Sequence, residues 1–277
     1  MPLMATTMTT MNRLFVLALA VLAALLLAVL GNQWFLPVSE IRAGDSSRRG
    51  QDRAASAAPD SQTATLPWAA RTLEDGTLAV FDLALGRDTL AQAQQRFGEV
   101  LQLALVARVG EVGVLEALVE PFSAGFVTGR LVLSFDVPSP ILQAWREHTL
   151  RSEPMDGGLR RFALTATDRQ SALAMPVSGV SFVPSVKLSR NDVEQRFGAA
   201  AQSITVSNDS LVLLYPGRAL AITVAASTTQ RAVMQYVVPA HFESRLRQPM
   251  LAAGTAHAPG TSAAASSTAP SSAAAGP

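Results

Sequence analysis

Two stretches of ten residues constrain this chain more than anything else in it. "TLAQAQQRFG", Thr89 to Gly98, is answered by "SRNDVEQRFG", Ser189 to Gly198, at a spacing of 100 residues. A second pair follows: "TGRLVLSFDVP", Thr128 to Pro138, and "TQRAVMQYVVP", Thr229 to Pro239. Gly98 to Pro138 spans 40 residues and Gly198 to Pro239 spans 41. Two motifs repeated in one order at one spacing mark a tandem copy of a single unit.

Each unit begins with a short amphipathic helix. Thr89 and Ser189 are N-cap hydroxyls, and Gln92 and Asp192, three residues on, complete a capping box or its shorter-armed relative. Gly98 and Gly198 close the helices, because glycine enters the left-handed region freely. Leu90, Ala93 and Phe97 share one face, as do Val193 and Phe197. Strand-like segments follow in matched order. "LQLALVARV" corresponds to "QSITVS", "VLEALVEP" to "LVLLYP", "GFVT" to "ALAITV", and the second repeated phrase closes each copy. Leu131, Leu133 and Phe135 point to one face of the sheet, and Val132, Ser134 and Asp136 to the other. The reading is an α+β body of two helix-plus-antiparallel-meander repeats, residues 76–158 and 159–250, packed together for shelter from water.

The ends differ in kind. Leu14 to Leu30 is seventeen residues without a polar side chain. At 1.5 Å per residue that helix covers about 26 Å, and Gly31 to Leu36 extend it toward a hydrocarbon core of about 30 Å. Trp34 and Phe35 fall where an interfacial aromatic belt sits. The alternative is a cleaved signal peptide, but its apolar stretch would be unusually long and no convincing A-x-A site precedes Trp34. Residues 14–36 therefore read as an uncleaved signal-anchor after a short tail, 1–13, and as the chain's contact with a membrane. Residues 37–75, rich in Ala, Ser, Asp, Gln and Arg, read as a flexible linker. Residues 251–277, nearly all Ala, Ser, Thr, Pro and Gly, read as a disordered tail. Arg13 alone precedes the run while Arg42, Arg48, Arg49 and Arg53 follow it, a count that puts the folded part in the cytoplasm. A very short N-terminal tail with one Arg, by contrast, is how an export signal-anchor begins. The location expected is the bacterial inner membrane, single-pass, with the folded part periplasmic.

Chemistry is sparse. A net charge of +1 gives no basic face for nucleic acid, and the absence of cysteine removes disulfides and thiolate sites. No Gly-x-Ser-x-Gly elbow, P-loop or dinucleotide fingerprint occurs. His148 and His241 follow the two Val-Pro steps at different offsets, and no Asp or Glu is spaced to complete a metal site with either. Glu116 and Glu120 lie about 13 Å apart on one strand face, too wide for a glycosidase pair, and read as solvated; Val212 stands near the equivalent of Glu116. Arg96 and Arg196, at helix C-termini, are accounted for by the helix dipole. The expectation is no catalytic, cofactor or metal residue, and a non-catalytic accessory role that binds a protein partner in the envelope. Two rivals stand beside it. One is a hydrolase built on scattered Asp, Ser or His residues, with His148, His241 and Asp168 as its candidates. The other is a binder of lipid or a small hydrophobic ligand between the apolar sheets.

A capped helix ending in "RFG", followed by a meander containing "YPGRALAITV", resembles the small outer-membrane-assembly lipoproteins of the SmpA/OmlA type. Those share a topology with the tandem-repeat beta-lactamase inhibitor protein. Ser189, Val193 and Phe197-Gly198 fit the family's helical motif, while Ala93 replaces the Val in the first copy. Glu99 and Ala199 stand where the family has proline after the glycine, and the lipobox cysteine is missing. The resemblance covers the two repeats and implies an envelope location and protein contacts rather than catalysis.

Overall fold

The computed structural model describes residues 66–149, 151–207, 209–225 and 231–257. The expected anchor, most of the linker and most of the tail lie outside them. Among the described residues no helix is long and apolar enough to cross a membrane.

The fold is α+β, dominated by one large antiparallel sheet with a few helices. A small hairpin sheet comes first: β1 (Arg71–Thr72), β2 (Leu78–Val80) and β3 (Leu83–Ala84). Next come α1 (Leu90–Phe97), β4 (Leu101–Arg108), β5 (Val114–Ala124) and β6 (Val127–Phe135). An excursion follows, with α2 (Ser139–His148), β7 (Ser152–Pro154), β8 (Leu159–Phe162) and α3 (Ala166–Ala172). The chain then runs through β9 (Val177–Pro184), α4 (Arg190–Phe197), β10 (Gln202–Ser207), β11 (Ser210–Tyr215), β12 (Leu220–Ala225) and β13 (Val233–Val237). Helix α5 (Gln248–His257) ends the described chain. The large sheet has the order β10-β11-β12-β13-β9-β6-β5-β4-β8-β7.

The two helices are capped as their sequences require. The Thr89 N–H donates to Gln92 Oε1 at 2.8 Å, and the Ser189 N–H donates to Asp192 Oδ2 at 2.9 Å. Leu90, Ala93, Val193 and Phe197 are buried against the sheet. Four phenylalanines tie the first helix down: Phe122 meets Phe81 at 5.3 Å, Phe97 at 5.8 Å and Phe182 at 5.9 Å between centroids. In the second, Phe197 lies 5.8 Å from Tyr215, whose hydroxyl donates to the Gly198 carbonyl at 3.1 Å. Both helices cover the same face of the sheet, the one that carries Leu131, Phe182, Met234 and Tyr215. Gly129 is needed there. A Cβ on it would stand 2.7 Å from the Phe182 ring and 2.4 Å from the Val183 carbonyl oxygen.

The sheet is symmetric in order and direction about the β13–β9 boundary. One row of cross-strand pairs shows it. From Gln102 the row passes through Leu118, Val132 and Ser181 to Gln235, then Ala221, Leu214 and Gln202. It begins and ends on residues 100 apart, the spacing of the two helix caps. In that order β12 occupies the place across the boundary that β6 occupies, and β9 the place of β13. The twice-written phrase instead occupies β6 and β13, which flank β9 on either side. "GFVT" is not a separate strand, because Gly125 and Phe126 make the turn into β6.

The ends of the body also differ from the expected boundaries. Leu66 and Pro67 are already buried, and Tyr236 donates to the Pro67 carbonyl at 2.6 Å, so the linker's last residues belong to the fold. At the other end α5 carries the chain to His257. Its alanines favour helix, and Gly254 lets it lie against β10, where a Cβ would stand 2.7 Å from Ile204 Cγ2. Before it, Glu243–Arg247 is a π-helical turn. Pro249 explains this: it offers no N–H to the carbonyl four residues back and its ring crowds that carbonyl, so the turn widens.

Candidate functional site

Glu116 is the most unusual ionisable group among those described. It pairs across β5 with Ala104 on β4 and Ser134 on β6 and is only 6% exposed. The solvated face expected from alternation is not what surrounds it. Gln102, Ala104, Val106, Leu118, Arg130 and Val132 line, with Glu116, a cavity of about 30 Å3, room for a single water. No hydrogen bond or ion pair engages its carboxylate among the described residues. Burial away from water disfavours the charged form and pushes its pKa up to about 7. Glu120 behaves differently. It is exposed and forms a two-pronged pair with Arg130, at 3.0 Å to each oxygen. The register of β5 on β6 shifts between Val119 and Phe122, so the simple alternation linking the two glutamates is lost.

The second candidate is a contact between helices. His148 Nδ1 lies 3.1 Å from Asp168 Oδ1, joining the last turn of α2 to the first turn of α3. Asp168 is 4% exposed, its amide donates to Thr165 Oγ1 at 3.1 Å, and its Oδ2 accepts from that hydroxyl at 2.7 Å. A carboxylate at a helix start and an imidazole at a helix end both suit the helix dipoles. Nothing in the spacing of these two residues joins them. They are 20 residues apart, with β7 and β8 between. His241 has a different setting, on the 3-10 turn after β13, with Nδ1 buried and unpaired. A catalytic use of the pair would need a nucleophile on the far side of His148. Among the described residues no three His, Asp or Glu side chains gather as a metal site.

The third is an open cleft beside α1, lined by Asp82, Leu83, Asp88, Gln92, Gln95, Arg96, Phe97 and Phe122. Its charges are engaged. Arg96 pairs with Asp82, and Asp88 accepts from the Ala84 amide at 2.8 Å. Phe81 and Asp82 form the two-residue β2–β3 turn with φ of 52° and 59°, a conformation that favours glycine or asparagine. Burial of Phe81 against Phe122 and Phe182 holds that turn in place. Arg196, the counterpart of Arg96, donates to the Asp192 carbonyl at 2.8 Å and lies 5.3 Å over the Trp68 ring. Neither arginine is left to hold an anion by itself.

Searches against family models, curated proteins and solved structures return no match to this chain.

Proposed function

We propose that this chain is a single-pass protein of the bacterial inner membrane, held by residues 14–36, with a periplasmic body that serves as a non-catalytic accessory or scaffold in an envelope protein complex. The observation that carries this reading is how the candidate groups are engaged. Arg96 holds Asp82, Arg196 lies over the Trp68 ring, and Asp168 joins Thr165 to His148. Each contact connects parts of the fold.

The symmetric sheet supports a duplicated unit, as the resemblance to the SmpA/OmlA-type lipoproteins implies. In this reading each unit is a helix followed by four strands, and residues 139–176 are an insertion between the third and fourth strands of the first. Two experiments test the whole proposal. Alkaline phosphatase fused after Pro277 should be active, and an inactive fusion sinks the periplasmic placement. The chain, tagged and purified in mild detergent from its native membrane, should run with a second protein that recovers it in a reciprocal pull-down. A lone monomer would count decisively against the scaffold role.

The His148–Asp168 contact favours one other reading, a hydrolase. A serine-directed fluorophosphonate that labels the chain, and stops labelling His148→Ala, would replace the scaffold reading. The lipid-binder reading has less support, since the apolar cavity beside Glu116 holds about a water's volume and an acyl chain needs hundreds of Å3.

A further inference from the structure

We propose that the end of the sheet carrying the β5–β6 turn docks on the surface of an anionic lipid bilayer, with Trp68, Phe126 and Val186 entering the headgroup region. This deepens the membrane-anchored reading but rests on separate residues. Phe126 is 78% exposed at the tip of the turn, and Val186 is 53% exposed just past β9. The β6–β9 ladder runs through Gly129–Pro184, and the Ser185 N–H donates to the Thr128 carbonyl, so both side chains leave the same end of the sheet. Trp68 packs 5.9 Å from Phe126 and is half-buried. An exposed aromatic tip beside an indole and an aliphatic residue is the pattern of an interfacial contact.

The basic groups sit around it. Lys187, the chain's one lysine, is exposed next to Val186. Arg231 reaches the Pro184 carbonyl beside it at 3.5 Å. Cations flanking inserted apolar side chains add attraction to anionic headgroups. Position along the chain argues for a bilayer rather than a protein as occupant. The described fold begins at Leu66, two residues before Trp68, so the segment leading back to residues 14–36 joins the body beside this patch. A tether that delivers the body here holds the patch at high effective concentration over the membrane.

The test uses the full chain reconstituted in vesicles of phosphatidylethanolamine and phosphatidylglycerol, with lipids brominated either near the headgroup or deep in the acyl chain. The chain has three tryptophans, 34, 68 and 145. Trp34→Phe/Trp145→Phe leaves Trp68 as reporter, and Trp68→Phe/Trp145→Phe leaves Trp34. Headgroup-level bromine should quench Trp68, and Phe126→Ser/Val186→Ser should at least halve that quenching, as should 0.5 M salt. Both substituted positions are exposed, so the melting temperature should not change. Retained quenching in the double variant overturns the proposal, as does no quenching of Trp68 at all. Trp34 reports the anchor independently. Quenched Trp34 with silent Trp68 removes the docking and leaves the anchor; the reverse removes the anchor and leaves the docking.

Discussion

The two halves of the large sheet share a plan and differ in what their second face meets. In the half made of β10 to β13, the face opposite α4 is covered by the C-terminal helix. Phe242, Leu246 and Met250 are buried, Arg247 donates to Gln202 at 3.0 Å, and Gly254 lies against Ile204. In the half made of β4, β5, β6 and β9, the corresponding positions include Gln102, Ala104, Leu118 and Val132, and among them stands Glu116. Two residues along from the row that joins Gln102 to Gln202, Glu116 faces Ala104 on one side of the sheet and Val212, fully buried, faces Ile204 on the other. One architecture thus tolerates a buried carboxyl in one place and a tightly covered methyl pair in the other. The difference lies in freedom to hold a proton and a water. Glu116 borders a small cavity and is raised to a pKa of about 7, whereas Val212 is an apolar side chain fully closed off from solvent.

Exchanging the two residues is the sharpest way to break that comparison. Val212→Glu should be the more damaging, costing on the order of 4 kcal/mol or preventing folding, because a carboxyl buried under a packed helix has no partner. Urea unfolding at pH 7 would measure it, and a loss below about 1 kcal/mol would mean the two faces are not distinct. Glu116→Val should do the opposite at pH 8. The unfolded carboxyl titrates near 4.5 and the folded one near 7, so between those values the folded state keeps a proton that the unfolded state releases. The contribution of Glu116 to stability is therefore greatest below pH 4.5, declines as pH rises to 7, and is flat above. The substitution should gain about 2–3 kcal/mol at pH 8 and almost nothing at pH 4. An equal gain at both pH values would show that the carboxyl is solvated in the folded protein.

A subtler contrast is Phe182 against Tyr236, which the same row makes equivalent. Both are buried on the helix-covered face, but only Tyr236 carries a hydroxyl, given to the Pro67 carbonyl. Tyr236→Phe should cost about 1–2 kcal/mol by leaving that carbonyl unpaired. Amide exchange around residues 66–70 should quicken, which it would not if the start of the fold were held only by packing.

Local signals carried far in this chain. The caps at Thr89 and Ser189, the glycine stops and the alternation of β6 needed only neighbouring residues, and the helix-plus-meander content followed from them. Pairing across the sheet did not follow. The likeness of "TGRLVLSF" to "TQRAVMQYV" reflects a shared demand, a strand with one greasy face that ends at Val-Pro, and both strands meet that demand beside β9. Likeness of sequence does not give position in a sheet: β9, separated from β6 by residues 136–176, pairs between the two strands, and nothing local announces it. The burial of Glu116 is hidden from the sequence for a related reason. Alternation assigns a side chain to a face but does not say what covers that face. The His148–Asp168 contact depends on how α2 and α3 return against each other, which no spacing encodes.

The smallest expected effect compares the caps themselves. Gln92 and Asp192 make the same bond to the backbone at the start of their helices, but only Asp192 titrates. Hydrogen bonds from the Ser189 side chain and amide hold its carboxyl below the usual value. A depressed folded pKa means its contribution is present above the unfolded value of about 3.8 and is lost as pH falls through the folded one. Thr89→Ala should therefore cost about 1 kcal/mol at every pH, the ordinary price of a lost cap. Asp192→Asn should lower the melting temperature slightly at pH 7, with the gap to the parent closing as pH drops below 3.8. Parallel melting curves for Asp192→Asn and the parent from pH 7 to 3 would show that the second cap is neutral in its action, and that the two helices start by the same physics after all.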